Sequence, residues 1–308
     1  MFGKRVYIQI INVTALFELA IRKNKPSVLQ QSINLCKIKF SLRLWSFIFF
    51  TSILFFSWQS SGYSQSPYKL DLAKESIFFG ASLGMGVLTF PLNDDIEPLM
   101  IDEIKNLNRN DVNKFDRGAI YNYSTTEGNI SDILLYTSIL SPALLAFSDD
   151  TRNDFSPVIT MYFETLLLSM AIPFVTKGIT QRVRPFAYND NAPLSIKQSK
   201  NAKRSFFSGH TTISFAMAVF VSTVYSDYYP DSDWKPVIWA GSLALATTVG
   251  VLRYSSGSHF PTDIITGALV GSAIGYLIPF MHRTEIHKLN VSFGISRSGS
   301  LINFNYKF

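Results

Sequence analysis

Beyond residue 64 the sequence alternates long apolar stretches with polar ones. Six apolar segments, near 72–91, 131–148, 157–176, 208–226, 236–252 and 263–281, are each long enough for a buried or membrane helix. The first is the weakest. It carries Gly80, Gly84 and Gly86, and Pro91 with Asn93-Asp94-Asp95 closes it early, so it is expected not to cross fully. The linker 92–130 is polar, mixed in charge and Asn-rich, and Ser131-Asp132 predicts an N-cap for the second segment. The sixth carries Gly267, Gly271 and Gly275 at four-residue intervals, a small-residue stripe expected against the core helices. From Lys288 the tail alternates apolar and polar residues around a Ser-Arg-Ser-Gly-Ser turn, which predicts a small β-hairpin; one hairpin cannot close a barrel. The expected fold is all-α, a membrane-embedded antiparallel bundle of five to six helices with a short C-terminal β-hairpin. The expected divisions are 1–64, a leader; 65–130, an N-terminal helix and polar linker; 131–287, the helical bundle that carries the chemistry; and 288–308, the hairpin tail.

Composition supports a membrane protein, with 47% hydrophobic and 16% charged residues in 308. The net charge of +6 does not imply a nucleic-acid partner: residues 1–64 hold eight basic residues and one acid, leaving twenty basic against twenty-one acidic beyond. The single cysteine, Cys36, lies in the leader, which excludes an intrachain disulfide framework and a thiolate metal site. Lys37, Lys39 and Arg43 precede the apolar run Ser46–Trp58, and Gly62 and Ser64 follow it. This predicts an export signal cleaved near Gln65, with an uncleaved anchor as the alternative; residues 1–35 are long for an n-region, as a start codon placed too far upstream would make them. An exported start with a first segment that does not cross places the later loops so that a bacterial-type, multi-pass inner-membrane protein opens its site to the periplasm.

Three stretches carry candidate chemistry. Lys177 is followed after six residues by Arg184-Pro185; Phe207-Ser208-Gly209-His210 opens the fourth segment; and Arg253 precedes His259, Pro261 and Asp263. Arg184 and Arg253 offer planar forks for an oxyanion, and Lys177 adds a compact charge. Ser208 and Gly209 stand where a helix begins, so a hydroxyl and free N–H groups can face an anion. If Pro261 starts a helix, Asp263 lies one turn beyond His259 and can accept from its ring. With two histidines, one can attack phosphorus while the other protonates the departing oxygen. In an antiparallel bundle the three stretches meet at one mouth. The polar stretch 185–206, with Lys197, Lys200, Lys203 and Arg204, becomes an entrance loop whose charge guides an anionic substrate.

These blocks, in this order, resemble the type 2 phosphatidic acid phosphatase (PAP2) superfamily, which also contains the vanadium haloperoxidases. The resemblance covers roughly residues 70–282 and departs from the family pattern at Phe207, which stands for Pro, and Leu252, which stands for Ser. It implies His259 as nucleophile, Asp263 as its orienting partner, His210 as leaving-group acid, and Lys177, Arg184, Ser208, Gly209 and Arg253 as phosphate holders. The activity implied is a metal-independent phosphatase with no cofactor, acting through a phosphohistidine. Its substrate would be a membrane lipid phosphate monoester or diphosphate, such as phosphatidic acid, a phosphatidylglycerol phosphate, a polyprenyl diphosphate or a lipid A phosphate. The alternatives are a vanadate-dependent haloperoxidase and a non-catalytic lipid-phosphate-binding protein. Long apolar helices favour the phosphatase over the first, and the retained histidines and Asp263 over the second. Among other residues, His282 and His287 read as solvated or interfacial, and Glu164, an acid inside the third apolar run, is an expensive residue that either functions or pairs with a neighbouring helix.

Overall fold

The structure is a computed structural model that describes residues 66–284 and, as backbone, Leu289–Ser296 and Gly299–Tyr306. The leader with Cys36, the expected cleavage near Gln65 and His287 lie outside the described residues. Each of the six apolar segments becomes a long helix: α1 Leu72–Asp94, α2 Thr125–Leu140, α3 Phe155–Thr180, α4 Gly209–Tyr228, α5 Lys235–Ser255 and α6 Pro261–His282.

Two boundaries differ from expectation. Helix α2 starts before Ser131-Asp132, because Ser124 is the N-cap and its hydroxyl accepts from the Glu127 N–H at 3.3 Å. Its first turns are polar, and apolar periodicity does not register a turn that lies outside the apolar layer. Helix α1 does not close at Pro91 but continues to Asp94. Pro91 costs the helix one hydrogen bond near its end. The Asn93 side chain, which donates to Thr89 O at 2.6 Å, and Asp95 N, which bonds Pro91 O at 3.1 Å, finish the turn. Leu92 anchors this end on α3, where a Cβ added at Gly178 would stand 2.6 Å from the Leu92 Cβ.

Helix α4 is the centre of the bundle, with thirteen of its twenty residues buried, and α2, α3, α5 and α6 pack on it while α1 packs on α3. The five surrounding helices, α2 extended to Phe147 and α3 to Tyr188, are long and apolar enough to cross a membrane. Their outer faces present Leu144, Phe147, Val237 and Leu269. In lipid there is little hydrophobic drive between helices, so close packing must hold them. The glycine stripe supplies it. A Cβ added at Gly267, Gly271 or Gly275 would fall 2.7, 2.2 and 2.3 Å from the carbonyl oxygens of Ser208, Thr212 and Ala216, so the backbones of α4 and α6 are in contact as expected.

The two ends of the bundle are distinct. At one, Lys69 N bonds His282 O at 2.7 Å, and Asp227 takes the Tyr68 hydroxyl at 2.6 Å and Arg283 at 2.8 and 2.9 Å. At the other, Lys200 donates to the carbonyls of Asn93 and Asp94, and Arg204 to the Asn93 side chain. Helix α1 therefore runs the whole way between them. The expectation of a first segment that stops part-way is corrected. Strands β1, Leu289–Ser296, and β2, Gly299–Tyr306, pair antiparallel with each other. Neither has an extensive contact with a helix. The fold is mostly helical among the described residues, and the expected hairpin is not supported as part of it.

Candidate active site

At the end of α3 the chain turns through Gln181, at φ 42°, whose N–H bonds Lys177 O at 3.1 Å. Residues 182–184 then pair with the stretch before α4, Arg184 N to Ala202 O at 2.8 Å and Ser205 N to Arg182 O at 2.9 Å. This sets Lys177, Arg182 and Arg184 against the start of α4. Ser208 caps that helix, its oxygen taking the Thr211 hydroxyl at 2.9 Å. A Cβ at Gly209 would be 3.5 Å from Lys177 Nζ, so the bare glycine lets the ammonium approach the helix N-terminus.

The third stretch is a tight loop from α5 to α6. Ser258 N and His259 N both bond Arg253 O at 3.1 Å, while Gly257 O takes Phe186 N at 2.9 Å. Gly257 has φ +70°, and a Cβ there would lie 2.1 Å from Asn122 O, so only glycine fits. Pro261 opens α6, as the sequence predicted.

These elements bring together Lys177, Arg184, Ser208, Gly209, His210, Arg253, His259 and Asp263. Lys177, Arg184 and Arg253 lie close enough to the His259 ring to act on it electrostatically. His259 is fully buried, and neither ring nitrogen has a hydrogen-bond partner. Burial first, and then Arg184, Lys177, Arg253 and His210, hold its pKa well below the ordinary value, so the ring is neutral at neutral pH. A neutral imidazole keeps the lone pair that a nucleophile needs. Arg184 donates to Ser258 O at 3.2 Å and Asn201 Oδ1 at 3.0 Å, both neutral acceptors. Its Nε and that of Arg253 are buried without partners, and among the described residues no acid pairs with Lys177 or Arg184. A buried cluster of cations with idle donors is complementary to an oxyanion.

Asp263 stands 3.5 Å from His259 Nδ1, beyond ordinary hydrogen-bond length. Its carboxylate is already held by Arg182 at 2.6 Å, by Phe260 N at 3.0 Å and by the Ser205 hydroxyl. Arg182 also reaches Asp116 at 2.7 Å and lies over the Phe260 ring. Asp116, in the linker before α2, accepts from Thr262 N at 2.9 Å, in the first turn of α6. Burial opposes the charge on Asp116, but hydrogen bonds from Thr262, Arg182 and Asn113 hold its pKa below the usual carboxylate range. Neither Asp116 nor Arg182 was singled out in the sequence. Asp132 was placed only as a cap, yet it sits 2.7 Å from His210 Nε2 and 3.4 Å from Arg253. Of the basic residues expected in the entrance loop, Lys203 pairs with Glu103 at 3.5 Å, while Lys200 and Arg204 donate to neutral groups at the end of α1.

The Asp116–Arg182–Asp263 chain gives a test. Arg182→Lys removes a planar fork that spans two carboxylates, and Asp116→Asn removes one end of it. Each should lower kcat by about 10- to 100-fold with KM within about twofold, since the effect acts through the placement of Asp263. Unchanged kcat in both variants would show that the chain only holds the fold.

A family model described as the PAP2 superfamily matches residues 159–286, the segment that holds all eight candidate residues. The chain is 36% identical over 93 residues to the probable diacylglycerol pyrophosphate phosphatase 1 of Schizosaccharomyces pombe, covering 29% of this chain and 33% of that protein. It is 29% identical over 124 residues to phospholipid phosphatase 1 of Rattus norvegicus, covering 37% and 38% of the two. The chain thus spans only about a third of the length of these curated relatives. Among solved structures it is similar to a transmembrane PAP2 type phosphatidylglycerolphosphate phosphatase from Bacillus subtilis, with TM-score 0.41, 18% identity and coverage of 65% of this chain and 94% of that one. Asp116 and Asp132 lie outside the PAP2 segment.

Proposed function

We propose that this protein is a membrane phosphatase that removes phosphate from a lipid phosphate monoester or diphosphate through a phosphohistidine, without a metal ion. The observation that carries this reading is the buried, unpartnered His259 ring close to Lys177, Arg184 and Arg253. The three cations and the Gly209 N–H would neutralise the phosphoryl oxygens, the work a metal does elsewhere, while the Ser208 N–H is taken by Asp263 O at 3.1 Å. His259 attacks phosphorus, the bond from phosphorus to the lipid oxygen breaks, and His210 gives that oxygen its proton; water then attacks the phosphohistidine and releases phosphate. Asp263 orients His259, and Asp132 orients His210. The names of the relatives support the lipid class, as does an apolar groove of about 410 Å³ between α5 and α6, lined by Thr247, Val251, Tyr254, Pro261 and Ile265. Its lining includes Tyr254 and Pro261, close in sequence to Arg253 and His259, which would set an acyl chain beside the headgroup site.

Purified protein assayed on a panel of lipid phosphates should release phosphate with chelator present, and orthovanadate should inhibit competitively. Activity lost in chelator and restored by magnesium would overturn the metal-independent reading. His210→Ala should spare a nitrophenyl phosphate, whose leaving group needs no proton, while lipid ester hydrolysis falls by about 10²- to 10⁴-fold. Equal loss on both would remove His210 as the acid.

The same reading places the site mouth on the membrane face opposite residue 69. An exported Gln65 then turns the mouth to the cytoplasm, and a leader retained inside turns it to the periplasm of a bacterial-type inner membrane. In a Cys36→Ser background, Lys69→Cys and Asp233→Cys should react with an impermeant thiol reagent from one side and Ser195→Cys from the other. Reaction of Lys69→Cys and Ser195→Cys from the same side would mean that α1 does not cross.

A further inference from the structure

At the end of the bundle away from the PAP2 motifs, three ionisable side chains from three helices meet out of contact with solvent: Glu75 of α1, Glu164 of α3 and His282 of α6. The reading of His282 as solvated or interfacial is thereby corrected; it is 1% exposed. Its Nδ1 lies 2.8 Å from Ile278 O, an acceptor only, so Nδ1 carries a hydrogen. In the neutral ring, Nε2 then presents a lone pair. It faces Glu75 Oε2 at 3.0 Å and Glu164 Oε2 at 3.4 Å, two further acceptors. Glu75 has a donor on its other oxygen, from Asp71 N at 2.8 Å. Glu164 is fully buried, and neither of its oxygens has a hydrogen-bond partner.

Three lone-pair donors aimed at one another need positive charge between them. A single proton on Nε2 leaves one negative charge uncompensated in the apolar layer, so the cluster needs either a second proton, on Glu164, or a cation. One divalent cation neutralises both acids at once. The spacing suits it, since ligands about 2.1 Å from a shared first-row ion stand roughly 3.0 Å apart along an octahedral edge and roughly 3.4 Å along a tetrahedral one. The Nδ1 contact with a carbonyl is also the outer hydrogen bond that fixes a metal-bound imidazole. We propose that Glu75, Glu164 and His282 bind a divalent first-row cation of the zinc or manganese type, which ties α1, α3 and α6 together. The sequence could not show it, because Glu75 and His282 are 207 residues apart.

Along α6 the cluster lies about 28 Å from Asp263, at ~1.5 Å per residue, so the ion has no part in phosphate chemistry and its test does not depend on that chemistry. Full-length protein, purified in detergent and stripped with chelator, should bind cobalt(II) or zinc at one ion per chain by elemental analysis. Cobalt should give a ligand-field spectrum, and zinc should raise Tm by several degrees. Glu164→Gln, which keeps the shape, should weaken binding at least tenfold and lose both the spectrum and the zinc-dependent shift. If Glu164→Gln does not fold, the wild-type titration alone decides. Wild-type protein that binds no ion, or whose binding and Tm shift persist unchanged in Glu164→Gln, would overturn the proposal, and the three groups would then share protons instead.

Discussion

Replacing His259 with Ala should bring lipid phosphate hydrolysis to background, a loss of about 10⁴-fold or more of the kind seen when a covalent nucleophile is removed. The acid-labile phosphoenzyme that labelled substrate leaves on the wild type after rapid quenching should vanish with it. The fold should survive, because neither ring nitrogen of His259 holds a hydrogen bond whose loss would strand another group. Near-wild-type Tm with no turnover is therefore the signature. Turnover at the normal rate, or a phosphoenzyme that persists, would sink the proposed mechanism and return the site to simple anion binding.

Gly257→Ala should be nearly as damaging for a different reason. An L-residue at φ +70° costs about 1–2 kcal/mol by itself, and here the added carbon would stand 2.1 Å from Asn122 O. The loop cannot keep its bond to Phe186 N and its place against Asn122 O and also accept that carbon, so His259, two residues on, must move. A displacement of about 1 Å of a reacting group costs on the order of 10²-fold. We expect kcat to fall by that factor while Tm drops only slightly, because the loop lies outside the α4–α6 packing. A crystal or cryo-EM structure of the variant with His259 undisplaced, or kcat within threefold of wild type, would contradict this.

The helices were legible because apolar length shows in any window of sequence, and the Gly267, Gly271 and Gly275 stripe was legible because one-turn spacing is a property of the chain itself. What failed was local too. Pro91 and three glycines were given more weight as breakers than tertiary support from α3 allows, and the polar first turns of α2 carry no apolar signal. The three motif stretches stood out by residue type and order. Their supports did not. Arg182 acts through Asp116, 66 residues away, and no periodicity links such a pair. Asp132 could have been found, since the rule that drew notice to Glu164, an acid in an apolar run, applies to it equally. Among the basic residues near 200, the pairing of Lys203 with Glu103 was not legible, because charge in a sequence says nothing about whether a partner has already claimed it.

The bond from Asp116 to the first turn of α6 bears on how this protein could be cut or recombined. A fragment trimmed to residues 159–286 would keep Arg182, Thr262 and Asp263 but discard the carboxylate that all but closes their circuit, along with Asp132 and the Asn122 carbonyl against Gly257. Arg182 would be left with one acid instead of two, and the start of α6 would lose its only carboxylate from outside the segment among the described residues. The smallest unit worth transplanting therefore begins before Asn113, whose amide also holds Asp116 at 2.7 Å. A chimera joined at residue 159 would inherit His259 without the linker that sets its neighbours in place.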